Sequence, residues 1–272
     1  METLDLLQRR SPLSAADPKP LETTPQGFAV LRLGDAAAPV RLVWAHGWGQ
    51  DHRAFLAVCQ SFTSRGECLL LDLPGFGGAA QPPLHWGTAD YADAAAAWLA
   101  SLPPKPTYWI GHSYGCRVGI QLAARHPRAV SGLLLVAAAG LPRRRTLHQK
   151  LRHSLRAMLF KGLKAMVPEG PLRERLRRRF GSSDYAKAGE LRPILVRAVT
   201  ENLSEQARAV TCPVQLVYGA LDDDTPPEIG ERFRDAIPGA RLTVLPGLDH
   251  HTIMDQGRHQ IARLLDALLN GK

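Results

Sequence analysis

With 272 residues, 45% of them hydrophobic, the chain is long enough for one large α/β domain with an insertion or for two small domains. No uninterrupted apolar run reaches membrane-span length, and the N-terminus lacks the apolar core of a signal peptide, so we expect a soluble, cytoplasmic protein. The four cysteines are scattered without a Cys-x-x-Cys pair, which argues against a zinc site or a disulfide framework.

The net charge of +9 is concentrated in one segment. Residues 141–209 carry 17 Lys and Arg against six Asp and Glu, a net charge of +11, whereas the rest of the chain carries 17 against 19, a net charge of −2. A basic surface of this kind attracts acidic partners or anionic surfaces. The simpler interpretation is that these charges are the solvated outer faces of helices.

Short apolar runs alternate with helical patterns, after a mostly irregular N-terminal leader at residues 1–27. The strands are predicted at residues 28–33, 40–45, 68–73, 108–111, 132–138, 214–219 and 242–245. The helices are predicted at residues 90–102, 116–125, 228–236 and 259–269. Gly34-Asp35 separates the first two strands, which predicts an early hairpin. The alternation predicts an α/β fold with a mainly parallel sheet and helices on both faces.

The basic segment interrupts this alternation. Leucines recur every fourth residue from Leu147 to Leu163, and the spacing repeats at Leu172, Leu176 and Phe180 among arginines. Residues 191–199 suggest a third helix. The sequence therefore predicts an all-helical insertion at residues 141–209 between two core segments, residues 28–140 and 210–272.

The most informative motif lies between a predicted strand and a predicted helix. Gly111-His112-Ser113-Tyr114-Gly115 is a G-x-S-x-G sequence, in the context of a nucleophile elbow. The alternative is an ordinary strand-to-helix turn that contains a serine. A catalytic serine needs a histidine base oriented by a carboxylate, with the carboxylate first along the chain and each residue just after a strand. Asp222 and His250 occupy such positions.

With these motifs the chain resembles the α/β-hydrolase family, in the serine-hydrolase branch that carries a helical cap inserted after the sixth strand. The resemblance covers nearly all of residues 28–270. The matching motifs are His46-Gly47-Trp48-Gly49, Asp72-Leu73-Pro74-Gly75-Phe76-Gly77, the elbow, Gly219-x-x-Asp222 with Thr225-Pro226, and Gly247-x-x-His250 with Ile253-Met254. The resemblance implies that Ser113 is the nucleophile, His250 the general base and acid, and Asp222 the orienting carboxylate.

The resemblance also implies an oxyanion hole and a substrate pocket. Tyr114 would supply one backbone N–H donor and Trp48 the second. His46 and His112 belong to family motifs whose histidines are structural or line the pocket, and we place Trp86 with them as a candidate pocket residue.

Neighbouring residues offer alternatives for two of these roles. Asp223 and Asp224 adjoin the predicted acid, and His251 adjoins the predicted base, but the spacing of the family motifs favours Asp222 and His250. Three consecutive aspartates are unsuited to a metal site because their side chains diverge. The glycines at residues 75–78 lack the spacing and lysine of a phosphate loop. We therefore expect neither a cofactor nor a metal.

The expected reaction is hydrolysis of a carboxylic ester or thioester through an acyl-enzyme, with the cap shaping the acyl pocket. Carbon–carbon bond hydrolysis and perhydrolysis use the same triad, and some members of the family act as non-enzymatic ligand receptors. The basic segment is similar to the cap of pimeloyl-acyl-carrier-protein methyl ester esterases, whose partner is a small acidic protein. An anionic membrane surface is another candidate partner. Nucleic acid is disfavoured, because no recognition motif accompanies the charge.

Overall fold

The described part of the chain, residues 21–143 and 188–271 of a computed structural model, contains eight strands in a single sheet. These are β1 (Glu22–Thr23), β2 (Ala29–Leu33), β3 (Arg41–Ala45), β4 (Glu67–Asp72), β5 (Thr107–His112), β6 (Gly132–Val136), β7 (Val214–Gly219) and β8 (Arg241–Leu245). Their order is β1-β2-β4-β3-β5-β6-β7-β8. Only β2 runs antiparallel to its neighbours β1 and β4, and the remaining pairs are parallel. The prediction of a mainly parallel sheet is confirmed.

Helices cover both faces of this sheet. They are α1 (Leu56–Cys59), α2 (Thr88–Ala100), α3 (Tyr114–Arg125), α4 (Arg192–Thr200), α5 (Ser204–Ala209), α6 (Pro227–Ala236), α7 (Thr252–Asp255) and α8 (Arg258–Leu269). Successive strand residues point to opposite faces. In β3, Val43 packs in the core beneath α2 and α3, whereas Leu42 and Trp44 pack in the core beneath α1 and α8. The sheet is thus buried on both sides, as its continuous apolar strands predict.

The predicted hairpin between the first two apolar runs is wrong. β2 pairs with β4, with Ala29 opposite Asp72, and β3 lies on the other side of β4. The connection between β2 and β3 passes close to the chain entering β4. Gly34 has a φ of 75°, and a Cβ there would lie 2.3 Å from the carbonyl oxygen of Gly66. Glycine is needed at this position for a close backbone approach rather than for a hairpin turn.

Other differences from the predicted elements are local. Residues 22–23, within the predicted leader, pair with β2 as the short strand β1. The helices α1, α5 and α7 were not among the predicted elements, whereas the predicted helix at residues 191–199 corresponds to α4. The other two helices predicted for the insertion fall within residues 144–187, which lie outside the described residues, as do residues 1–20. Within the described residues, no helix combines the length and apolarity needed to span a bilayer.

Candidate active site

Ser113 sits at the sharp turn between β5 and α3. Its φ of 46° lies in the left-handed region, which costs free energy for a residue other than glycine. The turn packs closely against β3. A Cβ at Gly115 would lie only 2.1 Å from the carbonyl oxygen of Ala45, so glycine is needed there. The N–H of Gly115 donates to the carbonyl oxygen of His46 at 3.1 Å. This strained elbow fixes Ser113 at the carboxyl end of the parallel sheet, where α/β folds place their sites.

The structure brings Asp222 and His250 together from the loops that follow β7 and β8. Nδ1 of His250 lies 2.8 Å from Oδ2 of Asp222. The Asp222 carboxylate is buried and also accepts from the backbone N–H of Thr225 at 2.6 Å and from its hydroxyl at 2.8 Å. Burial by itself raises the pKa of Asp222, but hydrogen bonds from His250 and Thr225 outweigh burial and hold the pKa below its usual value. An ionised Asp222 keeps the proton on Nδ1 of His250, which leaves Nε2 to act as a base.

The neighbouring alternatives take other positions. Asp223 is exposed, and Asp224 donates its backbone N–H to Asp222 at 2.8 Å. His251 is exposed, with its ring centroid 5.4 Å from that of His250. The carboxylate that contacts the His250 ring is therefore that of Asp222. Thr225 was part of a recognised motif, but its hydrogen bonds to the carboxylate were not predicted.

A cavity of about 280 Å³ lies over the elbow, and we call it the elbow cavity. Its wall includes Ser113 and His250 together with Trp48, Tyr114 and His112. An apolar part of the wall comes from α4. The α4 residues on the wall are Leu195, Ala198 and Val199. The part of the predicted insertion that the structure describes thus helps to enclose the space above Ser113.

Two backbone N–H groups on this wall are available to a ligand. Among the hydrogen bonds of residues 21–143 and 188–271, none is donated by the N–H of Trp48 or Tyr114. Tyr114 is the first residue of α3, so its N–H has no partner within the helix and lies at the positive end of the helix dipole. The Trp48 ring packs edge-on against Tyr114, with centroids 5.3 Å apart. The N–H groups of Trp48 and Tyr114 are thus suited to stabilising a developing oxyanion.

Two of the three predicted pocket residues do not border the elbow cavity within the described part of the chain. Nε2 of the buried His46 accepts the N–H of Leu73 at 3.0 Å, while Nδ1 donates to the carbonyl oxygen of Gly47 at 2.7 Å. Trp86 packs against Tyr91 with ring centroids 5.2 Å apart, one aromatic layer behind Tyr114. Both side chains contribute to packing around the site rather than to its surface.

The third predicted pocket residue, His112, does border the cavity and links two of its loops. Its Nε2 lies 3.1 Å from the carbonyl oxygen of His250, and its Nδ1 lies 3.0 Å from Oε1 of Gln50. A neutral imidazole carries a single N–H, so only one of these two oxygens accepts a hydrogen bond from His112, whose ring lies between Gln50 and the loop of His250. Gln50 was missed by the sequence analysis, since an isolated glutamine in a loop carries no recognisable signal.

The buried His46 leads to a prediction about how the stability of the fold depends on pH. Burial lowers its pKa to about 4, against about 6.5 in an unfolded chain. The folded state therefore binds this proton less readily, so stability is complete above pH 6.5 and is lost as the pH falls towards 4. We expect His46 to contribute a loss of about 3 kcal/mol in the free energy of unfolding between pH 7 and pH 4. Urea denaturation at several pH values measures it.

The His46→Gln variant should be less stable at pH 7 but should lose less stability on acidification than the unmodified protein. His112, whose pKa burial lowers to about 3, adds a further loss in the same direction in both proteins. The exposed His85→Gln serves as the control and should keep the original pH dependence. Equal slopes for His46→Gln and the unmodified protein would show that His46 is not the neutral buried group described above.

One cluster outside the elbow cavity has the composition of a metal site. Potential ligand atoms of Asp51, His52 and Asp72 lie within 4.8 Å of one another. However, Oδ1 of Asp72 accepts from the backbone and ring nitrogens of His52 at 2.6 and 2.8 Å, and Oδ2 accepts from the N–H of Gly78 at 2.8 Å. Asp51 is paired with Arg53. Hydrogen bonds within the cluster therefore hold the loops around β4 together.

Comparison with known proteins agrees with this architecture. A family model described as the alpha/beta hydrolase family matches residues 42–264. The pimeloyl-[acyl-carrier protein] methyl ester esterase of Chromobacterium violaceum is 31% identical over 248 residues, covering 84% of this chain and 93% of that protein. The protein of the same name from Neisseria meningitidis serogroup C is 30% identical, covering 79% and 88%.

Solved structures show the same fold. A bacterial membrane phospholipase A has a TM-score of 0.70 at 24% identity, covering 90% of this chain and 82% of that one. The enol-lactonase from Burkholderia xenovorans has a TM-score of 0.68 at 18% identity, covering 92% and 100%. From the family model and the 31% identical relative, the chain belongs to the α/β hydrolase family.

Proposed function

We propose that the chain is a serine esterase that cleaves a carboxylic ester or thioester through an acyl-enzyme on Ser113. The observation that carries the proposal is the 2.8 Å contact between His250 Nδ1 and Asp222 Oδ2 in the cavity that also holds the strained Ser113. Membership of the α/β hydrolase family and relatives named as esterases support ester cleavage over carbon–carbon bond hydrolysis or perhydrolysis.

In the acylation half, Nε2 of His250 takes the proton of Ser113 as Oγ bonds to the ester carbonyl carbon. The negative charge that develops on the carbonyl oxygen is stabilised by the N–H groups of Trp48 and Tyr114. Asp222 stabilises the protonated His250. That imidazolium then gives its proton to the leaving alcohol or thiol as the bond to the acyl carbon breaks.

In the deacylation half, water attacks the acyl carbon and gives a proton to Nε2 of His250. The bond between the acyl carbon and Ser113 Oγ then breaks, and His250 returns the proton to Oγ. A carboxylic acid leaves and the resting enzyme is restored. The α4 wall of the elbow cavity would contact the acyl group throughout this cycle.

A panel of p-nitrophenyl esters from acetate to dodecanoate tests this function. We expect turnover that depends on Ser113 and falls for the longest acyl chains, because a cavity of about 280 Å³ accommodates a limited acyl volume. Absence of turnover at every chain length would favour the receptor alternative, in which the triad binds a ligand without cleaving it.

A second candidate function is hydrolysis of a methyl ester carried by an acidic acyl carrier protein. Two relatives are named as esterases of this kind. Residues 141–209 carry a net charge of +11, which would steer an acidic protein towards the mouth of the site. The charge of this segment and the names of the two relatives support this candidate. An anionic membrane surface is the competing partner.

Charge reversal in the basic segment tests the carrier. The Arg177→Glu/Arg178→Glu double variant should raise KM for a carrier-linked methyl ester. The factor should be about tenfold larger than for p-nitrophenyl butyrate, because electrostatic steering acts on the large acidic partner. Arg258→Glu/Arg263→Glu on α8 makes the same charge change at exposed positions and serves as the control. An equal effect of both double variants, or binding of the unmodified protein to anionic vesicles but not to the carrier, would contradict carrier docking.

A further inference from the structure

Arg117 borders the elbow cavity together with Ser113. Arg117 lies on α3, four residues after Ser113, which corresponds to about 6 Å along the helix axis. Its side chain is only 12% exposed and forms part of the cavity wall. A largely buried cation costs folding free energy unless its N–H groups find partners. The partners of Arg117 therefore indicate what this residue does.

The charge of Arg117 is balanced by Glu201, which follows α4, but the two groups are not hydrogen-bonded. Nη1 of Arg117 lies 3.8 Å from Oε2 of Glu201. Both Glu201 oxygens lie 2.6 Å from the hydroxyl of Thr88, and Oε1 also accepts from Nε2 of Gln121 at 3.0 Å. Glu201 is not among the described residues of the cavity wall, whereas Arg117 is. A molecule in the cavity therefore meets the positive member of the pair.

One donor of Arg117 is left without a hydrogen-bond partner. Among the described residues, Nη1 of Arg117 is buried and makes no hydrogen bond. A buried guanidinium with an unused donor costs free energy, which an anionic oxygen placed against Arg117 in the cavity would offset.

We propose that Arg117 forms a carboxylate-binding subsite in the elbow cavity, and that the preferred ester carries a free carboxylate on its acyl chain. A carboxylate offers several lone pairs and a negative charge to the guanidinium. The acyl side is favoured because the subsite is buried, and the acyl group remains bound while the alcohol departs. This inference rests on the proposed esterase function and specifies its substrate.

The ratio of kcat/KM for monomethyl adipate to kcat/KM for methyl hexanoate measures this preference. The two esters share their acyl length and leaving group, so a general loss of activity or folding cancels in the ratio. We expect a ratio above one for the unmodified protein and a fall of about tenfold or more in Arg117→Met, since a hydrogen bond to a charged group discriminates by at least that factor. Methanol release provides the assay.

Two further variants, one at the ion-pair partner of Arg117 and one on the same helix, sharpen the test. Glu201→Gln removes the negative charge that competes for Arg117, so the ratio should rise. Arg125→Gln removes a cation from the same helix at an exposed site, where Arg125 pairs with Asp93, and should leave the ratio unchanged.

A ratio of one or less in the unmodified protein, or a ratio that Arg117→Met does not change, would overturn the subsite and leave Arg117 as the ion-pair partner of Glu201 alone. A fall of the ratio in Glu201→Gln would also contradict it. Methyl ester turnover that survives in Ser113→Ala would instead contradict the proposed function, so the two failures are distinguishable.

Discussion

Replacing Ser113 with alanine should lower kcat/KM for p-nitrophenyl butyrate by about 10⁴-fold or more. The variant keeps the N–H groups of Trp48 and Tyr114, which form the proposed oxyanion hole, but it lacks the hydroxyl proposed to form the acyl-enzyme. Initial rates over a range of ester concentrations measure the loss. The residual rate should resemble the water reaction in the presence of an oxyanion hole alone.

The same substitution at the exposed Ser131 provides the control and should leave both activity and thermal stability unchanged. An alkyl phosphonate that modifies serine nucleophiles should add one covalent group to the unmodified protein and none to Ser113→Ala, as read by intact mass. If Ser113→Ala folds and retains most of its turnover, the nucleophile lies elsewhere and the mechanism proposed above is wrong.

The strands were predictable because their apolar runs are continuous and bounded by turn residues. Residues 41–45 are buried on both faces, as a run such as Leu42-Val43-Trp44-Ala45 indicates. What the pattern does not contain is which strand each run pairs with. Gly34 has the appearance of a turn residue, yet the glycine is required by the backbone of Gly66 passing alongside, a contact made 32 positions later in the chain. The hairpin prediction failed for that reason.

For the site, the sequence predicted where residues lie along the sheet but not the directions in which their side chains point. Ser113, Asp222 and His250 end up together because each follows a strand of one parallel sheet, so their meeting at its carboxyl edge is a consequence of topology. The direction of a side chain is a different matter. His46 lies beside the elbow in the chain trace but turns into the core, where the N–H of Leu73 fixes its ring.

The burial of Arg117 could not be predicted from the pattern of its own helix. An arginine in α3 resembles a solvated position of an amphipathic helix, and the sequence analysis gave it no role. Its ion-pair partner, Glu201, follows α4 some 80 positions later, so the environment of Arg117 depends on how the last part of the predicted insertion packs onto the core. Long-range packing of this kind is absent from local periodicity.

Replacing Asp222 with asparagine should lower kcat by about 10³- to 10⁴-fold while leaving the fold intact. Asparagine has nearly the same volume, and Thr225 still packs against it, but the amide carries no charge to stabilise protonated His250. An amide N–H directed at Nδ1 would also favour the tautomer with its proton on Nε2, which removes the base that Ser113 needs. Turnover at saturating p-nitrophenyl butyrate measures the effect, and urea denaturation verifies that the variant is folded.

The adjacent aspartates make this substitution a test of geometry rather than of local charge. Asp223→Asn removes the same charge one residue away at an exposed position and should leave kcat unchanged. Asp224 borders the elbow cavity, but it contacts Asp222 through its backbone N–H, which asparagine retains. Loss of turnover in Asp224→Asn together with normal turnover in Asp222→Asn would mean that the loop after β7 rearranges to present a different carboxylate to His250. The 2.8 Å contact described here would then not be the catalytic one.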